Sequence, residues 1–91
     1  MPSGTLVAVR AGDRWYGLAN VDGRLYAIDN NCPHNGGPLG KGELRGREVV
    51  CPWHGWCWDV TTGRNVWPGS DWRVPRLPVR VVGDEIQLPV L

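Results

Sequence analysis

Each of the two histidines in this chain follows closely on a cysteine, in Cys32-Pro33-His34 and in Cys51-Pro52-Trp53-His54. Sixteen residues separate the two groups, so the pattern is C-x-H followed by C-x-x-H. Two soft thiolates with two borderline imidazoles suit a tetrahedral zinc ion, or a [2Fe–2S] cluster in which histidine replaces cysteine on one iron. Zinc modules more often present paired cysteines and paired histidines than this interleaved order. The glycines also favour the cluster. Its bridging sulfides accept hydrogen bonds from backbone N–H groups, and Gly36, Gly37 and Gly55 beside Trp56 bring those groups close without a Cβ in the way. Pro38 and Pro52 stiffen the two segments.

The elements that must position these residues read as short strands. Thr5 to Val9 is apolar and β-branched, and Trp15 to Val21 and Arg24 to Asp29 flank Asp22-Gly23, a strong hairpin signal. Pro78 to Val82 and Glu85 to Leu88 flank a second one, Gly83-Asp84. Val49-Val50 and Trp58 to Val60 lead into and out of the second ligand segment, and Thr62-Gly63 turns the chain afterwards. Glycine and proline interrupt every candidate helix. The expected fold is an all-β antiparallel sandwich or barrel, a single domain over residues 1–91. Two loops project from it, at about 30–43 and 51–57. Loops of the first one's length in a small domain are usually functional.

Composition narrows the function. Ten Lys+Arg against nine Asp+Glu leave a formal charge of +1, which favours neither nucleic acid nor an anionic membrane as partner. The N-terminus has no basic region and only four consecutive apolar residues, Leu6 to Val9, so neither a signal peptide nor a membrane span is expected. The expected location is cytoplasmic. Three cysteines in that compartment argue for metal binding over a disulfide framework.

The stretch CPHNGGPLGKGELRGREVVCPWHGWCWDVTTG, residues 32–63, resembles the cluster-binding segment of Rieske [2Fe–2S] proteins. It is most similar to that of soluble Rieske-type ferredoxins and of ring-hydroxylating oxygenases. The resemblance implies one [2Fe–2S] cluster, with Cys32 and Cys51 on the buried iron and His34 and His54 on the outer one. Rieske proteins of quinol-oxidising complexes carry a disulfide between the two loops. Gly37 and Trp53 occupy those positions here, and Trp56 and Trp58 stand where those proteins place a Ser and a Tyr that hydrogen-bond to sulfur. Fewer such bonds leave the reduced cluster's extra negative charge less stabilised. The expected potential is therefore at the low end of a range of roughly −150 to +300 mV. Two ferric ions, two sulfides and two thiolates sum to zero, and one electron makes the cluster −1.

The resemblance further implies a one-electron carrier, taking an electron from a flavin-dependent ferredoxin reductase and delivering it to a terminal ring-hydroxylating oxygenase. Contacts with both would be transient, and the isolated protein a monomer. With both histidines assigned, none is left for a substrate-binding iron, so no substrate site is expected. A Rieske-like small subunit of a nitrite reductase and a zinc-stapled interaction module are the other readings. Cys57 is expected to pack as a small buried hydrophobe. Trp15, Trp67 and Trp72 are expected in core or edge packing, and Asp59 at a surface strand position. Arg47 reads as a solvated loop charge. For Trp53 and Trp56, shielding of the cluster and an apolar docking face remain equally open.

Overall fold

The computed structural model describes residues 2–88. Ten strands are present among them: β1 (Leu6–Ala11), β2 (Arg14–Val21), β3 (Arg24–Asp29), β4 (Glu43–Arg45), β5 (Glu48–Val50), β6 (Cys57–Asp59), β7 (Asn65–Trp67), β8 (Arg76–Leu77), β9 (Arg80–Val82) and β10 (Glu85–Gln87). The strands form an antiparallel sheet in the order β1-β2-β3-β8, a second in the order β4-β5-β6-β7, and a separate β9-β10 hairpin. The all-β expectation holds, with one 3-10 turn at Leu39–Lys41 as the helical exception.

Local chemistry explains the hairpins. Val21 pairs with Arg24 across Asp22-Gly23, whose φ values of 53° and 90° are the pair a tight hairpin turn demands. The carboxamide oxygen of Asn20 accepts from Gly23 N at 2.9 Å and closes that turn. The second hairpin likewise turns at Gly83-Asp84, between Val82 and Glu85. Of the segment read as a strand from Pro78 to Val82, only Arg80–Val82 pairs, as β9. A short strand that the sequence did not announce, β8, precedes it against β3 and ends at Leu77, because Pro78 has no N–H to continue the ladder. Strands β4, β7 and β8 carry only two or three residues each, too few for an alternation to show in sequence.

The core lies between the two four-stranded sheets. Ile28, Leu39, Val49, Trp58 and Val60 are fully buried, together with Cys32 and Cys51. In β2, Tyr16 through Asn20 are all buried, so the strand is covered on both faces and shows no alternation. The second cover is the Leu39–Lys41 turn. A Cβ on Gly40 would stand 2.7 Å from the Ala8 Cα, and one on Gly17 would stand 3.5 Å from the Gly40 Cα. These two glycines therefore let the turn lie directly on β1 and β2.

Asp59 corrects the sequence reading. It is 6% exposed, and its Oδ1 accepts from the Thr61 backbone N–H at 2.8 Å and from the Thr61 hydroxyl at 2.6 Å. Its Oδ2 lies 3.1 Å from Arg47 Nε, so Arg47 is an ion-pair partner rather than a free loop charge. The strand leaves the second ligand loop at Cys57, and Asp59 closes the turn that returns it to β7. Asp59→Ala is expected to lower stability by about 2 kcal/mol. Most of that comes from the two Thr61 bonds, since Arg47 is largely exposed and its pairing is worth little. Chemical denaturation would measure it; a loss under about 0.5 kcal/mol would mean that backbone bonds alone hold the turn.

Candidate metal centre

The two ligand segments fold into the same loop. Cys32 O accepts from Gly36 N at 2.7 Å, and Cys32 N donates to Gly37 O at 2.9 Å. Cys51 O accepts from Gly55 N at 3.0 Å, and Cys51 N donates to Trp56 O at 2.8 Å. Gly36 and Gly55 hold φ values of 77° and 76°, the left-handed conformation that reverses each loop. The cysteine opens the loop and the imidazole is carried on its crest, at the second residue after the cysteine in one loop and the third in the other. That one-residue offset between C-x-H and C-x-x-H is taken up within equivalent turns.

Each loop is anchored in the sheets. The Asn30 side-chain oxygen accepts from Gly40 N at 2.7 Å, and Asn30 O accepts from Leu39 N at 2.8 Å, with the Leu39 side chain fully buried. The second loop runs directly from β5 into β6, whose Val50 and Cys57 are paired.

The four predicted site residues come together in pairs across the loops, Cys51 beside Cys32 and His54 beside His34. Cys32 and Cys51 are buried free thiols, at 2% and 1% exposure. Burial pushes the Cys51 thiol above its ordinary pKa, and the neighbouring Cys32 pushes the same way, while the N–H groups of Trp53 and His54 pull it down. His34 and His54 stand edge to face with ring centroids 5.6 Å apart. His54 is exposed, and its Nδ1 accepts a hydrogen bond from the Asn35 carboxamide. His34 is half-buried, and its Nδ1 is a buried nitrogen without a hydrogen-bond partner.

These atoms fit a dinuclear cluster. A buried, unpartnered imidazole nitrogen is costly unless it meets a donor or a metal. Among the described residues, no three His, Cys, Asp or Glu side chains converge on one point, whereas two irons ask for only two ligands each. The backbone also comes close to a ligand sulfur. A Cβ on Gly37 would lie 2.7 Å from the Cys51 sulfur and 3.2 Å from the Trp53 ring, so only glycine lets the first loop approach that sulfur.

The Rieske [2Fe–2S] domain family matches residues 1–78. The chain belongs to the Rieske family. Membership decides between the two metals left open by residue types alone: the cofactor is one Rieske-type [2Fe–2S] cluster. The ferredoxin component of a naphthalene 1,2-dioxygenase system from Pseudomonas aeruginosa is 32% identical over 88 residues, spanning 97% of this chain and 85% of that one. Among solved structures, the ferredoxin of carbazole 1,9a-dioxygenase from Nocardioides aromaticivorans superposes with a TM-score of 0.88 at 26% identity, covering 100% of this chain and 89% of its own. A chain from the complex of reduced oxygenase and oxidised ferredoxin in carbazole 1,9a-dioxygenase gives a TM-score of 0.89 at 28% identity, over 98% of this chain and 92% of that one. No helix among the described residues is long and apolar enough to cross a membrane.

Several residues around this Rieske site differ from expectation. Cys57 is half-buried, not fully buried; its Sγ lies 3.4 Å from Gly55 O, and burial raises its pKa. Trp15 and Trp67, 51% and 56% exposed, are not in the core; Trp67 lies on the edge strand β7, whereas Trp15 lies on the inner strand β2. Trp72 is neither core nor edge. It reaches the metal centre, with its ring 5.6 Å from that of Trp56 and 6.1 Å from His34.

A third loop, which the sequence reading did not find, places it there. Asn65 is buried and makes five hydrogen bonds. It donates to Cys57 O at 3.0 Å and Trp67 O at 2.9 Å. It accepts from Gly69 N at 3.2 Å, and from Ser70 N and Ser70 Oγ at 2.8 Å each. The only sequence signal was the turn-rich Pro68-Gly69-Ser70-Asp71 run between two tryptophans.

Proposed function

We propose that Cys32 and Cys51 hold the inner iron of the cluster, and His34 and His54 the outer one. On that reading the protein is a one-electron carrier, a low-potential Rieske-type ferredoxin. It accepts an electron from a flavin-dependent ferredoxin reductase and passes it to a terminal ring-hydroxylating oxygenase. The observation that carries this reading is the polarity of the site. Its two thiols are closed off in the core while His54 is open to a partner. The ferredoxin components that this chain resembles along nearly its whole length support the same role. We read residues 1–91 as one such domain, monomeric when isolated, acting in the cytoplasm, with no substrate site of its own.

When bound, the cluster supplies one-electron chemistry. The rest belongs to the protein. Leu39, Val49 and Trp58 exclude water from the sulfur side, because each is fully buried around Cys32 and Cys51. Trp53, at 57% exposure beside His54, offers an apolar contact that a transient partner can cover and release. Of the two roles left open for Trp53, docking is therefore the one its exposure supports.

Voltammetry of the protein at neutral pH tests this. One reversible one-electron wave is expected near the low end of roughly −150 to +300 mV. Mixing the reduced protein with a ring-hydroxylating terminal oxygenase should then reoxidise it one electron at a time. A colourless protein without a wave, even when prepared anaerobically, would remove the redox role. A normal wave with no transfer to such oxygenases would leave a carrier with a different acceptor.

A further inference from the structure

The two imidazoles are held by different means. A metal-bound histidine is ordinarily oriented by a hydrogen bond to its second ring nitrogen. His54 shows no such bond: the Asn35 carboxamide N–H meets its Nδ1, and an amide N–H cannot accept the proton of a second ring nitrogen. His34 is instead stacked face to face on Trp56, with ring centroids 3.9 Å apart and planes only 4° from parallel. A ring so placed cannot rotate about its side-chain axis without driving an edge into the indole.

Trp56 is itself confined from both sides. Its ring lies 6.1 Å from fully buried Trp58 and 5.6 Å from Trp72. Trp72, 49% exposed, also tilts over His34 at 40°. Three tryptophans thus run from the core to the surface, with the imidazole held against the middle one. The outermost depends on the Asn65 loop, because Trp72 N donates to Ser70 Oγ at 3.2 Å and that hydroxyl is held by Asn65.

We infer that Trp56 and Trp72 are positioning residues that clamp the His34 imidazole as an iron ligand, and that Asn65 and Ser70 set the outer jaw of the clamp. The inference rests on the ligand assignment proposed above. It also resolves the role of Trp56, which faces inward onto a ligand and is not part of a docking face. Opening the clamp lets the His34 ring turn and leave, so the cluster should be lost through that ligand first.

The test compares purified holoprotein with Trp72→Ala, Trp72→Phe, Ser70→Ala and Trp67→Ala variants. Two quantities are read: the rate at which EDTA bleaches the visible absorption, and the nitrogen hyperfine couplings of the reduced protein in pulsed EPR. Trp72→Ala should bleach about tenfold faster and change one of two histidine nitrogen couplings while leaving the other. Trp72→Phe should restore both quantities nearly to the starting values. Ser70→Ala, a milder change that loosens the loop while keeping the indole, should fall between, and it carries the test if Trp72→Ala fails to fold.

Wild-type bleaching with unchanged couplings in Trp72→Ala and Ser70→Ala would overturn the clamp. So would equal acceleration in Trp67→Ala, an exposed strand tryptophan with no ring contact at the site, since that would signify general loosening. Fewer than two histidine nitrogens in the unmodified protein would instead overturn the ligand assignment, and the clamp with it.

Discussion

Replacing His54 by cysteine is expected to lower the reduction potential by at least about 100 mV. The substitution exchanges a neutral ligand for a thiolate, so the outer iron receives one more negative charge in both redox states. Reduction adds a further charge to that already more negative site and becomes harder. The scale follows from known clusters: exchanging both histidines for cysteines separates potentials of roughly −150 to +300 mV from about −400 mV. One exchange should give part of that span, and the lower part, because His54 is exposed and water screens the added charge. At about 59 mV per factor of ten for a one-electron couple, the shift would move the equilibrium with any partner by well over an order of magnitude. Voltammetry of His54→Cys beside Trp53→Ala measures it. Trp53 is the exposed neighbour and should leave the potential within a few tens of millivolts. A loaded His54→Cys protein with an unshifted wave would remove His54 from the ligand set. Loss of the cluster in that variant alone would keep it there.

The second large effect is expected far from any ligand side chain. A Cβ on Gly42 would fall well inside contact distance of the Val50 carbonyl oxygen, and 3.2 Å from the carbonyl carbon. Both are backbone atoms, so no rotamer change can relieve the overlap. The collision sits where β4 begins to pair with β5, with Glu43 opposite Val50, one residue before Cys51. Gly42→Ala should force these strands apart, displace the second loop and cost at least about 3 kcal/mol. In a chain of this size that is a large part of the stability. Thermal unfolding and iron content would report it, with Gly46→Ala as reference. Gly46 has a positive φ of 63° but nothing near its missing Cβ, so alanine there should cost only about 1 kcal/mol. Equal, small losses in both variants would show that β4 yields more easily than its backbone contacts imply.

The features legible in the sequence were local ones. Asp22-Gly23 and Gly83-Asp84 specified their hairpins because only a few residues tolerate the backbone angles such turns need. The C-x-H and C-x-x-H spacings specified the metal chemistry for a related reason. Thiol and imidazole are uncommon donors, and a ligand loop must carry them within a few residues of each other, so both remain legible without a structure. That the two segments would meet was an inference from the donor count of a metal centre, and the fold brings them together as equivalent turns.

Features that depend on residues distant in the chain had no local signal. Asp59 looked like a surface strand position, because nothing in CWDV reveals that Thr61 and Arg47 converge on its carboxylate. Cys57 was expected in the core, yet it lies on the face of β6 away from Trp58, which takes the buried position. The short strands β4, β7 and β8 are held by their neighbours rather than by propensity, so no periodicity announced them. Trp72 could not be assigned to the site, since it arrives there on a loop ordered by the side chain of Asn65 and packs on rings from another strand's approach. Turn chemistry and donor identity are written in adjacent residues. Burial and ring packing are properties of surfaces that exist only once the sheets have closed.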